Sequence, residues 1–211
     1  MSSKRLLTIV LFLFSLNLRA QQFPSAQIGS QTWMPQNLNI DTFRNGDKIP
    51  QAKTAEEWKT AGDSGKPAWC YYQNDSNNAS KYGKLYNAFA SNDPRGLAPK
   101  GWRVATENDW QILVKQLGGS KTAGFTLKSK EGWKANGNGS NQTGFAAVPG
   151  GNRDENGNFM SMGYACAWWC YPTDKSEAMS YILNFRNAEV GKVAVDSRFG
   201  LSIRCLKEVE N

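Results

Sequence analysis

Only one long stretch of the chain repeats its apolar residues at helical spacing. Trp110, Leu113, Val114 and Leu117 stand at i, i+3, i+4 and i+7, the stripe of a helix that buries one face. Thr106 is placed to cap it, Asp109 follows three residues later and Gly118-Gly119 stops it, so the pattern predicts a helix over 106–117. Thr54 and Glu57 form a capping-box pair and predict a shorter helix over 55–61, ended by Gly62. Other apolar runs are short. Residues 68–72, 145–148, 165–171, 179–187, 192–195 and 201–206 read as strands, and 28–40 as an extended opening segment. Segment 84–89 is apolar, but its period does not separate helix from strand. Pro149-Gly150-Gly151 reads as a break and Asn156-Gly157 as the turn of a tight hairpin. A helix-bearing first half and a strand-rich C-terminal half imply a single α+β domain, an antiparallel sheet with one or two packed helices. Trp102, Trp168 and Trp169 are expected in its core.

The first twenty residues follow a different pattern. Lys4 and Arg5 precede an almost unbroken apolar run from Leu6 to Leu16, and Ala20 offers a small residue before Gln21. This is the layout of a secretory signal peptide, which assigns 1–20 as a leader and 21–211 as the exported domain, in the periplasm, at the cell surface or outside the cell. The apolar run is shorter than the roughly 20 residues that span a bilayer, and no second run follows, so no transmembrane anchor is expected. Three of the 25 basic residues (Lys4, Arg5 and Arg19) lie in the leader, which leaves 22 against 18 acidic ones and a mature charge of +4. No Lys/Arg-rich run is present, so nucleic acid is not an expected partner. The chain has no histidine. That removes His-ligated metals, Ser-His and Cys-His nucleophilic pairs and imidazole acid–base chemistry, and it favours a non-catalytic role without a cofactor.

Several side-chain clusters offer chemistry but also have plainer roles. Asp154, Asn156 and Asn158 alternate oxygen ligands as a calcium loop does, but Gly157 sits where a hairpin turn needs it. Glu107, Asp109, Asp154 and Glu155 supply carboxylates for glycoside hydrolysis. The first two fall in the first turn of a helix, the last two in the hairpin, and no pair is singled out by spacing. Four cysteines, Cys70, Cys166, Cys170 and Cys205, suggest disulfides in an exported chain, with three possible connectivities. Cys166 and Cys170 have C-x3-C spacing, unlike the C-x2-C of thioredoxin-like sites, and lack a positive neighbour to depress a thiol pKa. A thiolate pair holding a soft ion such as Cu(I) is the minor reading.

The phrases IGSQTWMPQNLN (28–39), PAWCYYQND (67–75), KYGKLYNAFA (81–90), GLAPKGWRVATENDW (96–110), GFAAVPGGNRDENGNF (144–159) and GLSIRCLKE (200–208) occur in order. In this the chain resembles the Fibrobacter succinogenes major paralogous domain family, exported or surface proteins of Bacteroidetes, Fibrobacteres and their neighbours. The resemblance implies a C-type-lectin-like fold, with formylglycine-generating enzymes as distant relatives. Two positions depart from the family pattern: Ala98 stands where many members have Cys, and Cys170 lies in a segment that usually reads Y-W-W-S-S.

If 165–171 is a strand, as the resemblance implies, Cys166, Trp168 and Cys170 share a face. The two cysteine Cα atoms are then roughly 13 Å apart, and a disulfide between them would need a turn. A Cys70–Cys205 bridge would instead close a long loop and is favoured. Fold relatives carry a variable ligand surface in the C-terminal half. The resemblance therefore points to Tyr181, Asn184, Arg186 and Arg198, with Asn187 and Asp196 beside them, as a surface for a glycan or a surface protein. The alternatives are a thiol- or copper-dependent enzyme using Cys166 and Cys170, and a structural component of a surface assembly.

Overall fold

The computed structural model of the chain describes residues 23–170 and 178–208; the leader assignment and Tyr171 lie outside them. Strands β1 (Ala26–Ile28) and β2 (Gln31–Trp33) form an N-terminal hairpin. Helix α1 (Ala55–Asp63) precedes the short strand pair β3 (Trp69–Cys70) and β4 (Leu85–Tyr86), with α2 (Ala79–Tyr82) between them. Next come α3 (Ala88–Ser91), β5 (Trp102–Val104), α4 (Glu107–Gln116) and α5 (Ala123–Leu127). The C-terminal half is strand-rich: β6 (Gly150–Arg153), β7 (Phe159–Met162), β8 (Ala165–Cys170), β9 (Met179–Asn184), β10 (Val190–Ala194) and β11 (Cys205–Lys207). The architecture is α+β.

Two sheets carry the fold. One has the order β1-β2-β11-β5, so the last strand lies between the N-terminal hairpin and β5. The other has the order β10-β9-β8-β6-β7 and is antiparallel except where β6 meets β8. Strand β8 is buried on both faces, and its alternation sorts its side chains between two cores. Cys166, Trp168 and Cys170 join a core with Trp33, Trp110, Leu113 and Tyr181. Ala167 and Trp169 join the other, with Trp69, Tyr86, Trp102 and Ile203. A third cluster packs Trp58 of α1 with Ala68, Cys70 and Tyr72.

The α4 stripe docks as its spacing requires. Thr106 accepts from the Asp109 amide at 3.3 Å and the Asp109 carboxylate accepts from the Thr106 amide at 2.8 Å, closing the capping box. Trp110 and Leu113 are fully buried, while Val114 and Leu117 line the edge of the same core. Trp110 stacks on Tyr181 of β9 at 5.0 Å and 11° and meets Trp33 at 5.2 Å, Trp168 at 5.4 Å and Phe145 at 5.7 Å. This ring cluster ties α4 to both sheets.

Several expected boundaries shift for identifiable reasons. Helix α1 continues through Gly62 to Asp63: Gly62 is not among the glycines at positive φ, and its missing side chain makes room for Arg198, which a Cβ would approach to 2.8 Å. Segment 84–89 is part strand and part helix: Asn87 ends β4 and caps α3 by accepting from the Ala90 amide at 3.0 Å. The strand expected over 145–148 is only a bridge from Ala147 to Lys128, since Ala146 sits at φ +51° and breaks the extended run. Gly150 and Gly151 belong to β6 instead of breaking it. More helices form than expected, five among the described residues, but three of them have five residues or fewer. The hairpin at Asn156-Gly157 joins β6 to β7, with Gly157 at φ +90°.

Trp110→Ala removes the ring where four others converge. It is expected to destabilise the domain by about 3–5 kcal/mol, read from urea denaturation with tryptophan fluorescence; a loss within about 1 kcal/mol, the scale of a tolerated core swap, would mean the rings do not act as one core.

Candidate functional site

Three turns meet at one end of the strand-rich half and hold two aromatic rings, exposed Tyr164 and half-buried Phe185. The first is the segment 132–138, anchored by buried Trp133, whose indole donates to the Ala147 carbonyl at 3.0 Å. The second is the β7–β8 turn, where Gly163 at φ +84° lies against the Lys134 side chain and accepts from the Lys134 amide at 2.8 Å. The third is the β9–β10 turn. There Asn184 Oδ1 accepts from the Arg186 amide at 2.8 Å and Asn187 Oδ1 from the Glu189 amide at 3.0 Å. Buried Lys128 of the neighbouring loop donates its Nζ to the Asn187 carbonyl at 2.7 Å, and Gly124 of α5 donates to Ala188 at 2.9 Å. Burial lowers the Lys128 pKa.

On this frame Tyr164 and Phe185 meet edge to face, with centroids 5.2 Å apart at 72°. The Phe185 amide donates to the Tyr164 carbonyl at 2.8 Å, so the backbone beneath the rings is bonded. Gly137 gives Phe185 room, since a Cβ there would fall 2.8 Å from the Phe185 backbone. Tyr164 is 41% exposed, high for a ring of its size on a folded domain. Two cations complete the surface: Lys134 Nζ lies 5.1 Å from the Tyr164 centroid and Arg186 Cζ lies 5.4 Å from that of Phe185. Exposed cation–π contacts of this kind are worth about 0.5–1 kcal/mol. Among the described residues neither cation forms an ion pair, although Glu131 and Glu189 are close in sequence.

The structure divides the ligand residues expected in the sequence. Asn184, Arg186 and Asn187 belong to this platform. Tyr181 does not: it is only 5% exposed and is a core ring stacked on Trp110, because β9 turns that position inward. Arg198 is also elsewhere. Its guanidinium pairs with Asp196 at 2.6 Å and with Asp63 at 3.0 Å, and its carbonyl accepts from the Trp58 indole at 2.9 Å, so Arg198 and Asp196 fasten α1 to the body of the domain. Tyr164, Phe185 and Lys134 were missed. Their sequence signal is slight: a ring directly after Gly163, and a ring within a run of Asn and Arg.

The cysteine expectation is corrected. All four thiols are free and buried, and no bridge links Cys70 to Cys205 or Cys166 to Cys170. Cys70 packs in the Trp58 cluster and Cys205 in the Trp102 core, while Cys166 and Cys170 lie a full strand length apart along the same face of β8. Burial pushes Cys70 up to about 11 and both Cys170 and Cys205 to about 12, and raises Cys166 further still. They are held as thiols, not thiolates.

The carboxylates each have a structural partner. Asp154 Oδ1 accepts from the Asn156 and Asn158 amides at 3.0 and 2.7 Å, which is turn geometry. Asp109 binds Arg103 with both oxygens and closes the α4 cap, and Glu107 pairs with Lys192 at 2.5 Å. Among the described residues no group of three or more His, Cys, Asp or Glu is placed to hold a metal ion. A separate cleft of about 440 Å³ beside α1, lined by Pro50, Ala52, Glu56, Thr60 and Lys66 among others, contains none of the expected ligand residues.

The sequence phrases and the comparison with known families agree. The Fibrobacter succinogenes major domain family matches residues 26–207, and the chain belongs to that family. No curated protein and no solved structure gives a significant match.

Two outcomes follow for the thiols. Alkylation of the native protein at pH 8 should modify none of the four cysteines, and alkylation in denaturant without reductant all four, read by intact mass. A shortfall under denaturant would reveal a bridge. Unfolded thiols ionise from about pH 9 while the folded ones keep their protons, so their contribution to stability is complete below pH 9 and lost as pH rises through 11–12. The urea midpoint should fall between pH 8 and 10, and fall less in Cys70→Ala; an equal fall in both would show that Cys70 takes no part.

Proposed function

We propose that the chain is an exported, non-catalytic recognition domain that binds a glycan on the platform formed by Tyr164, Phe185, Asn184, Arg186 and Lys134. The observation that carries this reading is exposed Tyr164 set edge to face against half-buried Phe185, held by bonded turns and bordered by cations without ion-pair partners among the described residues. Ring faces suit the C–H faces of sugars, and adjacent directional donors orient the hydroxyls. A surface of this kind is preformed, so little ordering entropy opposes binding.

The non-catalytic part of the reading draws on the absence of histidine, the protonated buried thiols and the structural use of the carboxylates. Export draws on the basic, apolar and small-residue order of the first twenty residues. No helix among the described residues is long and apolar enough to cross a membrane. The C-type-lectin-like affiliation draws on the family resemblance, which in those folds accompanies ligand binding in the C-terminal half.

The test is a glycan array probed with the mature protein and with Tyr164→Ala. Loss of one exposed stacking ring should weaken binding about tenfold or more, the scale of an aromatic anchor at an interface, with the thermal midpoint lowered by no more than about 4 °C. Undiminished binding by Tyr164→Ala would move the site away from the platform.

A further inference from the structure

We infer that the platform selects glycans that carry carboxylate groups, such as uronic acids, over neutral ones; this rests on the platform reading above. The first ground is the balance of hydrogen-bonding groups. Lys134 and Arg186 offer donors and no acceptor. The two side-chain amide oxygens in the β9–β10 turn, Asn184 Oδ1 and Asn187 Oδ1, are already engaged by the Arg186 and Glu189 amides. Apart from the Tyr164 hydroxyl and the exposed carboxylates of Glu131 and Glu189, the groups left for a ligand are donors, and a neutral sugar, whose hydroxyls both give and accept, uses them incompletely.

The second ground is what occupies the rings. Lys134 lies over Tyr164 and Arg186 over Phe185, so a sugar that stacks on a cation-bearing face must first move the cation aside. A neutral sugar gives the displaced cation nothing in return. A carboxylated sugar gives it a charge-assisted hydrogen bond while the ring takes the C–H face, so displacement and binding reinforce one another. Both cations stand on flexible stems with no ion pair to break among the described residues, and Arg186 can meet a carboxylate in two-point geometry. The third ground is a further cation beneath the turn, set against the exposed carboxylate of Glu189 on it. Lys128, buried below and bonded to the Asn187 carbonyl, adds positive potential to the same turn.

The experiment compares polygalacturonate with its carboxyl-reduced form by calorimetry, using the mature protein, a Lys134→Gln/Arg186→Gln double variant and Tyr164→Ala. The wild type is expected to prefer the acidic polymer by about twofold to thirtyfold, the range of two exposed ion pairs, with the preference shrinking as salt is raised. The double variant should lose the preference while keeping its thermal midpoint, since both side chains are exposed. Equal binding of the two polymers by the wild type overturns the inference but leaves the platform reading standing. Binding of neither overturns the inference for this sugar, and a blank array across all glycans overturns the platform reading as well. Equally tight binding of poly-glutamate, insensitive to Tyr164→Ala, also overturns the inference, because charge alone would then explain the affinity.

Discussion

Trp110 sits where rings from four other parts of the chain converge: Trp33 from the N-terminal hairpin, Phe145 from the loop before β6, Trp168 from β8 and Tyr181 from β9. Most of the tertiary structure depends on that convergence. The sheets are small, the longest strands have six residues, and three helices have five or fewer. Elements of this size do not persist alone in water. What holds them is the area and shape of large rings fitted against one another, each pair adding about 0.5–1.5 kcal/mol beyond simple burial.

Two guanidiniums extend the same logic. Arg204 is fully buried, lies 4.2 Å from the Phe145 ring, and donates to the Met34 and Phe145 carbonyls at 2.9 and 2.8 Å. Burial lowers its pKa to about 9, so it remains charged at neutral pH. Arg153 plays the matching part on the other side, donating to the Ala52, Thr54 and Gly157 carbonyls between the Trp58 and Phe159 rings. Each arginine satisfies carbonyls of irregular backbone that no sheet ladder reaches. Long loops can thereby be packed into the core without strands.

That arrangement leaves one end of the strand-rich half free to carry a surface. The turns holding Tyr164, Phe185 and Lys134 are short, and their backbone amides and carbonyls bond to one another and to buried Lys128. The rings are thus presented by rigid backbone, although they lie on connections between strands. The thiols are distributed in the opposite way, in three different clusters and away from water.

Local pattern was enough for the features that a helix or strand period encodes directly: the capped helix α4 with its stripe, the capping box of α1, the Asn-Gly hairpin, and the placement of Cys166, Trp168 and Cys170 on one face of β8. The ordered phrases also identified the family. Partners across the chain were beyond it. Whether Tyr181 faces ligand or Trp110 depends on which side of β9 the helix α4 packs, a choice made by residues about seventy positions away. Arg198 lies apart from the platform, its guanidinium on Asp63 and its carbonyl on the Trp58 indole. The cysteines looked like a staple because export favours bridges, but only the packing of separate clusters shows that no two of them meet. Tyr164 and Phe185 meet because three turns converge, and convergence is a property of the assembled chain. By itself the sequence determined periodicity, caps, turns and family, since those follow from neighbours a few residues apart. The tertiary structure alone decided which rings are core and which are exposed, since burial is settled by contacts between segments that are distant in the chain.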